Sequence, residues 1–363
     1  MKITRPTLLL DKQKCVNNIE QMVLKATKHN LIFRPHFKTH QSKEIGAWFK
    51  NFGVDKITVS SVQMAKYFAD SDWNDITIAF PFNQLEIDEI NDLAVKIKLN
   101  ILLIHHESIE FLRNNLKYEV GVFIKIDCGY HRTGILAENT TEIDIMIEEI
   151  SKIEKLIFKG FLTHSGHTYQ AGSVEEILEI HETTKQKMGA LKERYKSRFQ
   201  DINISIGDTP SCSLVKDFTD IDEIRPGNFV FYDVMQLKLE VCTQEQIAVA
   251  VACPIVTKNK KRNEITIYGG GIHLSKEFIL NEDGIKNFGL VVKLTENGWS
   301  PPIKGIYVSS LSQEHGTIKV LSENFDQFQL GDVIGILPIH SCLTANLMGE
   351  YKTLNCEMLE HMR

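Results

Sequence analysis

The segment with the clearest chemical potential places a lysine between two histidines, directly after a short apolar run: Arg34-Pro35-His36-Phe37-Lys38-Thr39-His40. A lysine at the end of a barrel strand can be desolvated, lose its proton and attack a carbonyl carbon, which is Schiff-base chemistry. The alternative is an ordinary surface lysine after a strand. Other polar clusters at equivalent points of the chain are needed to favour the chemical interpretation.

Four such clusters follow apolar runs that are typical of strands. They are residues 127–134, 164–169, 207–210 and 225–228. The active site of a barrel lies at the carboxyl ends of its strands, so Lys38 and these clusters are predicted to meet at one face. Loops are rich in glycine, proline and polar residues in any case, so the indication comes from the group and not from one cluster.

The last two clusters suit a phosphate group. Barrels often bind phosphate in the loops after strands seven and eight, where glycine lets backbone N–H groups approach closely, and Gly207, Thr209, Gly227 and Asn228 fit that use. The same residues also fit ordinary turns with positive φ. A nucleophilic lysine together with a phosphate site indicates pyridoxal phosphate.

A third chemical feature lies near the end of the chain, where His340 and Cys342 are separated by one residue. In an extended segment these side chains share a face and can bind one ion. Imidazole with thiolate selects a borderline-soft metal, and zinc fits best, although another divalent metal is possible. The alternative is that Cys342 is a small buried apolar residue.

The elements that must position these residues alternate between apolar strand runs and helical patterns. Strands are predicted at residues 31–33, 57–61, 76–80, 101–105, 120–127, 156–163, 202–206 and 224–231. Eight strands with intervening helices predict a (β/α)8 TIM-type barrel over residues 11–240. The competing doubly wound sheet usually has a Gly-x-Gly-x-x-Gly turn after its first strand, which this sequence lacks.

The pattern changes after residue 240. Six strand candidates joined by Gly, Asn and Asp turns predict a β-rich domain over residues 241–363, and we expect residues 1–10 to join it. Long helical patterns are missing there. The six candidates span residues 247–256, 264–268, 290–294, 305–309, 316–321 and 332–337.

Composition excludes several classes of protein. The 363 residues carry a formal net charge of −6, which provides no basic face for nucleic acid or an anionic membrane. No apolar run is long enough for a membrane span, and the N-terminus lacks a signal peptide's apolar core. The seven cysteines form no Cys-x-x-Cys pair. These features predict a soluble cytoplasmic protein.

Over nearly its whole length the sequence resembles the fold-type III pyridoxal-phosphate enzymes, in the group of D-serine dehydratase and D-threonine aldolase, with an alanine racemase-like barrel. The resemblance rests on the lysine segment, the terminal His-x-Cys pair, the four clusters above, and three further motifs. These motifs are Arg5-Pro6-Thr7-Leu8-Leu9-Leu10-Asp11, Tyr232-Asp233 and Gly269-Gly270-Gly271-Ile272-His273.

The resemblance implies a role for each matching residue. Lys38 becomes the Schiff-base lysine, Arg132 lies near the cofactor's phenolic oxygen and His164 against its ring. Arg225 matches the arginine that faces the pyridine nitrogen in alanine racemases. The implied phosphate or cofactor contacts are Tyr169, Thr209, Gly227 and Asn228, and the implied metal ligands are His340 and Cys342.

The activity implied is a zinc-dependent D-serine dehydratase-like lyase that converts a 3-hydroxy D-amino acid to a 2-oxo acid and ammonia. A metal-dependent D-threonine aldolase is the alternative, and Cys342 favours the dehydratase because the aldolases typically have His-x-Asp. A racemase would need a second base, which the sequence does not identify. A non-catalytic pyridoxal-phosphate carrier would lack the β-rich domain and the metal pair. The resemblance also implies a homodimer.

Overall fold

The structure, a computed structural model, describes residues 2–362. The chain forms two compact units. The barrel unit comprises Glu20–Lys38 and Ala47–Gly227, and the sheet unit comprises the chain up to Ile19, Thr39–Gly46 and the chain from Asn228 onward. The predicted domain boundary at residue 240 stays a prediction.

Eight parallel strands form the barrel within the described residues. In chain order, β1 to β8 are Ile32–Phe33, Ile57–Val59, Asp75–Pro81, Lys98–Leu103, Val120–Asp127, Leu156–Leu162, Asn203–Ile206 and Glu223–Ile224. Each strand pairs with its neighbour in sequence from β2 to β8, and β8 pairs in parallel with β1 through Ile224 and Phe33. A bridge between His36 and Thr58 joins the end of β1 to β2, so the barrel is nearly closed.

The strands read as continuous apolar runs because helices cover a parallel sheet on its outer face while side chains fill its interior. All eight residues of β5 are buried. Leu102, Phe123 and Leu162 form one buried layer inside the barrel. Since side chains alternate along a strand, Lys125 and Asp127 share the inward face of β5 with Phe123.

Helices follow most of the strands, and local signals fix their starts. Asp11 accepts a hydrogen bond from the Lys14 backbone N–H at 3.1 Å, as an N-cap does. Ser173 caps its helix through the Glu176 N–H. No helix of the described residues is long and apolar enough to span a membrane. The longer helices are Lys12–Lys28, Lys43–Lys50, Val62–Ala69, Ile87–Ala94, His106–Asn115, Thr140–Ser151 and Val174–Tyr195, with the shorter Thr209–Leu214 after β7.

The sheet unit is built on a mainly antiparallel sheet. Strand Thr7–Leu10 pairs antiparallel with Val249–Asn259, in the register Leu9 to Ala250. The expected N-terminal strand is therefore present in this sheet. The other strands of the sheet are Glu264–Tyr268, Gly289–Thr295, Gly298–Trp299, Tyr307–Leu311, His315–Lys319, Val333–Pro338, Glu350–Thr353 and Met358–Glu360, and a separate hairpin pairs Ile279–Leu280 with Lys286–Asn287.

The predicted fold class, a (β/α)8 barrel with a β-rich C-terminal part, is confirmed, with two local differences. Strand β8 ends at Ile224, and a single 3₁₀ turn occupies Asn228–Val230 where the prediction extended the strand. The sheet unit also contains helix Ser341–Met348. The sequence prediction missed this helix because its apolar and small residues show no clear helical stripe.

Candidate active site

Lys38 lies just beyond β1 on a well-anchored segment. The side chain of Lys38 is exposed, whereas that of Phe37 is fully buried. The Phe37 ring lies 5.0 Å from the rings of Phe49 and Trp73 and 4.9 Å from that of Phe68. An aromatic anchor of this kind fixes the backbone from which the lysine projects.

His164 follows β6 on the inner face of the barrel, and its tautomer is fixed. Its Nδ1–H donates to the carbonyl of Gly207. Because a carbonyl only accepts, Nδ1 carries the proton and Nε2 of the neutral ring carries none. Burial holds the pKa of His164 well below its ordinary value, and the nearby charges of Lys38, Arg132 and Arg225 lower it further. The imidazole is therefore neutral at neutral pH.

The loop after β5 is organised by Asp127. Its carboxylate accepts the backbone N–H groups of Gly129, at 2.9 Å, and His131, at 3.1 Å. The loop carries the Tyr130 ring, 5.0 Å from the guanidinium of Arg132 and 5.9 Å from the His164 ring. The Tyr130 ring therefore lies between the Arg132 guanidinium and the His164 imidazole.

Thr209 and Tyr169 meet between the loops after β6 and β7. The backbone N–H of Thr209 donates to the Tyr169 hydroxyl at 3.0 Å. The Thr209 hydroxyl oxygen is buried and has no hydrogen-bond partner among residues 2–362. Gly207 has a packing role, because an added Cβ would lie 2.9 Å from the Cβ of Arg225. The closeness of β7 and β8 therefore accounts for the glycine without any ligand.

Arg225 is held by a buried polar network inside the barrel. Its Nε donates to Ser205 Oγ at 2.6 Å, and Ser205 donates to Glu223 at 2.6 Å. The other oxygen of Glu223 pairs with Arg34 at 2.7 Å. Arg225 also donates to the Thr163 carbonyl at the end of β6. Burial lowers the pKa of Arg225 to about 10, so it stays charged at neutral pH.

In the sheet unit, His340 and Cys342 lie at the junction between strand Val333–Pro338 and helix Ser341–Met348. The expected extended segment is thus a helix start, but the two side chains still hydrogen-bond to each other. Burial alone would raise the thiol pKa, yet the hydrogen bond and charge of His340 lower it overall. Burial likewise opposes protonation of His340, but Cys342 raises its pKa to about 9. The two shifts run in opposite directions because each group favours the charged form of the other.

Two polar side chains lie next to the Cys342 sulfur. The Asn228 side-chain amide donates to Sγ at 3.5 Å, and Sγ donates to the Thr39 hydroxyl oxygen at 3.4 Å. We call Thr39, Asn228, His340 and Cys342 the thiolate group. Asn228 was predicted as a cofactor contact, and that role stays a prediction.

Asp233 holds the thiolate group in place. One of its carboxylate oxygens accepts from the Asn228 amide at 2.6 Å, the Ser341 N–H at 3.0 Å and the Ser341 hydroxyl at 3.2 Å. The other accepts the Gln236 N–H at 3.0 Å. A buried carboxylate with this many donors fixes the backbone between the imidazole and the thiolate.

The structure therefore gathers the predicted residues into two sets. In the barrel unit, Lys38, Arg132 and Arg225 are near enough to His164 for their charges to lower its pKa. Tyr169 and Thr209 form their own contact, and Gly227 follows β8. The other predicted residues belong to the thiolate group. Sequence reasoning gave no role to Thr39 or Ser341, and it overlooked Lys125, whose signal is a single charge inside the apolar run of β5.

Two family models match this chain. Residues 10–234 match the family described as "Alanine racemase, N-terminal domain", and residues 248–354 match the "Putative serine dehydratase domain". A D-serine dehydratase of Dictyostelium discoideum is 30% identical, covering 97% of this chain and 94% of the relative. A D-threo-3-hydroxyaspartate dehydratase of Delftia sp. is 23% identical, covering 98% and 95%.

Solved structures share the fold over the whole chain. The Delftia dehydratase superposes with a TM-score of 0.91 at 20% identity, covering 100% of this chain and 98% of that one. A D-threonine aldolase from Filomicrobium marinum gives 0.83 at 17% identity, covering 99% and 97%. The chain belongs to the alanine racemase-like pyridoxal-phosphate enzymes, in the group of D-serine dehydratase and D-threonine aldolase. Within that class, it is a pyridoxal-phosphate-dependent lyase of the D-serine ammonia-lyase type.

Proposed function

We propose that this lyase is a zinc-dependent dehydratase of D-serine or a closely related 3-hydroxy D-amino acid, which it converts to a 2-oxo acid and ammonia. The 30% identity to a D-serine dehydratase over nearly the whole chain supports the reaction class. The single observation that carries the metal is the placement of His340 and Cys342 together at the start of helix Ser341–Met348, where Asp233 holds the intervening Ser341.

The residues of the barrel unit fit pyridoxal phosphate. The buried Thr209 hydroxyl without a protein partner suits a phosphate oxygen, because buried polar groups are almost always hydrogen-bonded. We assign Lys38 to the covalent link, Arg132 to the phenolic oxygen, His164 to the ring face and Arg225 to the pyridine nitrogen. The proposed phosphate contacts are Tyr169, Thr209, Gly227 and Asn228. When bound, the cofactor supplies an electron sink for the carbanion formed at Cα.

In the proposed reaction Lys38 is the base. With its amine free, Lys38 would accept the α-proton of the substrate. The electrons of the Cα–H bond form a Cα–Cβ double bond as the Cβ–O bond breaks, and the departing hydroxide takes up a proton to become water. Hydrolysis of the resulting enamine consumes a water and releases ammonia and the 2-oxo acid. His164, neutral and fixed through Gly207, would present an uncharged imidazole to the ring of a bound cofactor.

The thiolate group fits a borderline-soft divalent metal. Thiolate and imidazole are zinc ligands, and two protein ligands leave positions for water or substrate. A bound zinc would act as a Lewis acid on the departing β-hydroxyl. A solved cysteine-to-alanine variant of a D-threo-3-hydroxyaspartate dehydratase is described as metal-free, and a histidine variant two positions away has also been solved. The same spacing separates His340 from Cys342.

The test is D-serine turnover by purified, cofactor-loaded protein, assayed as pyruvate with and without a chelator. Cys342→Ala is expected to lose bound zinc and dehydration while retaining the visible absorbance of the cofactor. Cys356→Ser is the matched control because Cys356 is exposed and outside the thiolate group. Chelator-sensitive activity that persists in Cys342→Ala would place the metal elsewhere.

The same assay separates the alternative activity. The aldolase interpretation is supported by a "3-hydroxy-D-aspartate aldolase" of Paracoccus denitrificans, which is 23% identical over 64% of this chain. An aldolase would convert D-threonine to glycine and an aldehyde, whereas the proposed dehydratase would yield the 2-oxo acid and ammonia. A panel of hydroxylated D-amino acids, with both product pairs measured, decides between them.

We also propose that the protein acts as a homodimer. Leu343 and Leu347 lie on one face of helix Ser341–Met348 beside Cys342, and they are 39% and 44% exposed. Ile272, Phe278 and Leu280 of the same unit are exposed as well. The Thr344 hydroxyl donates to the Leu274 carbonyl at 3.2 Å, so residues 271–274 neighbour helix Ser341–Met348, and exposed apolar side chains on neighbouring elements are typical of an interaction surface. Light scattering after size-exclusion chromatography measures the oligomeric state directly.

A further inference from the structure

Lys125 is a buried lysine that the proposed reaction does not use. It lies on the inward face of β5, one inward position beyond the core residue Phe123, and is 5% exposed. It makes no hydrogen bond and no ion pair with any residue of the described part of the chain. A lysine this buried usually has an anionic partner, and because its Nζ is not one of the fully sealed polar atoms without a partner, a small anion from outside the chain can reach it.

The neighbourhood of Lys125 is cationic. Lys125 pairs in register with Leu162 of β6, and the next residue, Thr163, accepts a hydrogen bond from Arg225 through its carbonyl. Arg132 follows the same strand as Lys125 and lies close enough to lower the lysine pKa, as does Arg225. Three positive groups therefore surround this part of the barrel interior.

The acidic groups nearby are committed to other partners. Asp127 accepts two backbone N–H groups of its own loop and lies 3.3 Å from the His131 ring. Glu223 is divided between Ser205 and Arg34. The positive charge of Arg225 is thus balanced by Glu223 through Ser205. Lys125 has no equivalent ion pair in the described part of the chain.

We propose that Lys125 binds the α-carboxylate of the amino-acid substrate. This inference rests on the proposed function and names a subsite within it. A carboxylate is the anion that every 3-hydroxy D-amino acid brings to the enzyme. The proposed phosphate contacts lie after β6, β7 and β8, so the cofactor phosphate is assigned to other residues. The ammonium of Lys125 can donate charge-assisted hydrogen bonds to the carboxylate oxygens, while Arg132 stays assigned to the phenolic oxygen.

Binding of substrate fragments tests the subsite without turnover. The probes for the cofactor-loaded protein are 3-hydroxypropionate, which is serine without its amine, and ethanolamine, which is serine without its carboxylate. Lys125→Met should weaken 3-hydroxypropionate by about 10- to 100-fold, the usual range for a lost hydrogen bond to a charged group, and leave ethanolamine unchanged. Lys125→Arg should restore most of the affinity. Lys159→Met, an exposed lysine on β6, is the matched control.

Kinetics provide a second readout. Lys125→Met should raise KM for D-serine by a similar factor with a smaller change in kcat, because the contact orients the substrate before chemistry. Burial, followed by the charges of Arg132 and Arg225 and against those of Asp127 and Cys128, lowers the pKa of Lys125 to about 8. KM should therefore rise as pH increases through about 8 in the wild type and stay flat in Lys125→Arg.

Two outcomes would overturn the subsite. One is unchanged affinity for 3-hydroxypropionate in a folded Lys125→Met protein. The other is weakened binding of inorganic phosphate to the cofactor-free variant with normal binding of 3-hydroxypropionate, which would assign Lys125 to the phosphate. Failure of the proposed function looks different, since the wild type would then turn over no 3-hydroxy D-amino acid whatever the fragment affinities.

Discussion

Asp233 offers a sharp test of how the thiolate group is held. Its carboxylate accepts four hydrogen bonds, from Asn228, Gln236 and both the N–H and hydroxyl of Ser341. In Asp233→Asn one oxygen becomes an NH₂ group. If the remaining oxygen faces Ser341 and Asn228, the new NH₂ group faces the Gln236 N–H. In the opposite orientation the NH₂ group faces the donors of Ser341 and Asn228. Either arrangement leaves at least one donor against a donor.

The expected cost follows from these contacts. Loss of one hydrogen bond to a charged acceptor costs about 1.5–3 kcal/mol of unfolding free energy. Asp233→Ala removes every acceptor and leaves the donors buried without partners, for about 3–5 kcal/mol. Metal affinity should fall by about 10- to 100-fold in Asp233→Asn, as is typical when a residue that orients a metal ligand is replaced.

The assay combines urea unfolding, a chelator competition for zinc, and alkylation of Cys342 by iodoacetamide. Alkylation is measured in a Cys356→Ser background, since Cys356 is the other cysteine that is not buried. The control is Asp222→Asn, because Asp222 accepts the Ile204 N–H at 2.8 Å and pairs with Lys192 in the barrel unit. That variant should lose stability while keeping its zinc affinity and alkylation rate.

The reasoning is refuted if Asp233→Asn is destabilised but binds zinc and reacts with iodoacetamide like the wild type. The carboxylate would then be a helix cap and not a support for the thiolate group. Equal loss of zinc affinity in Asp222→Asn would point to general destabilisation, and the positioning argument would fail in the same way.

Two further predictions concern the barrel unit. Phe37→Ala should lower the free energy of unfolding in urea by about 3–5 kcal/mol, because it empties a site packed by Phe49, Phe68 and Trp73. The variant should also load cofactor at Lys38 more slowly. Unchanged stability would contradict the anchoring role. Burial raises the pKa of Asp208 from 3.8 to about 6. Between these two pH values the carboxyl group is protonated in the native state and ionised in the unfolded chain. Its stabilising contribution is full below pH about 4 and is lost as pH rises through about 6. Asp208→Asn should remove this part of the pH dependence, measured as unfolding free energy at pH about 4.5 and about 7; an identical slope in wild type and variant would argue against it.

Much of the fold could be predicted from local sequence. The continuous apolar run of β5 and the stripe of Ile143, Met146 and Ile147 are consequences of burial on one or both faces, and they appear directly in the order of residues. Helix Ser341–Met348 was missed because it has no such stripe. Strand β8 was predicted too long because the apolar residues after Asn228 are buried in a turn and not in a strand.

The sequence by itself determined the alternation of strands and helices, the lysine at a strand end and the His-x-Cys spacing, because these depend on neighbouring residues. Only the tertiary structure decided the surroundings of each reactive atom. Thr39 reaches Cys342 across 303 positions, and Asn228 reaches Ser341 across 113. The position of Lys125 near Arg132 and Arg225, with no ion pair to a carboxylate among residues 2–362, is likewise a property of the folded barrel. Protonation depends on burial and on charges brought close by folding, and no local pattern records which distant residues those are.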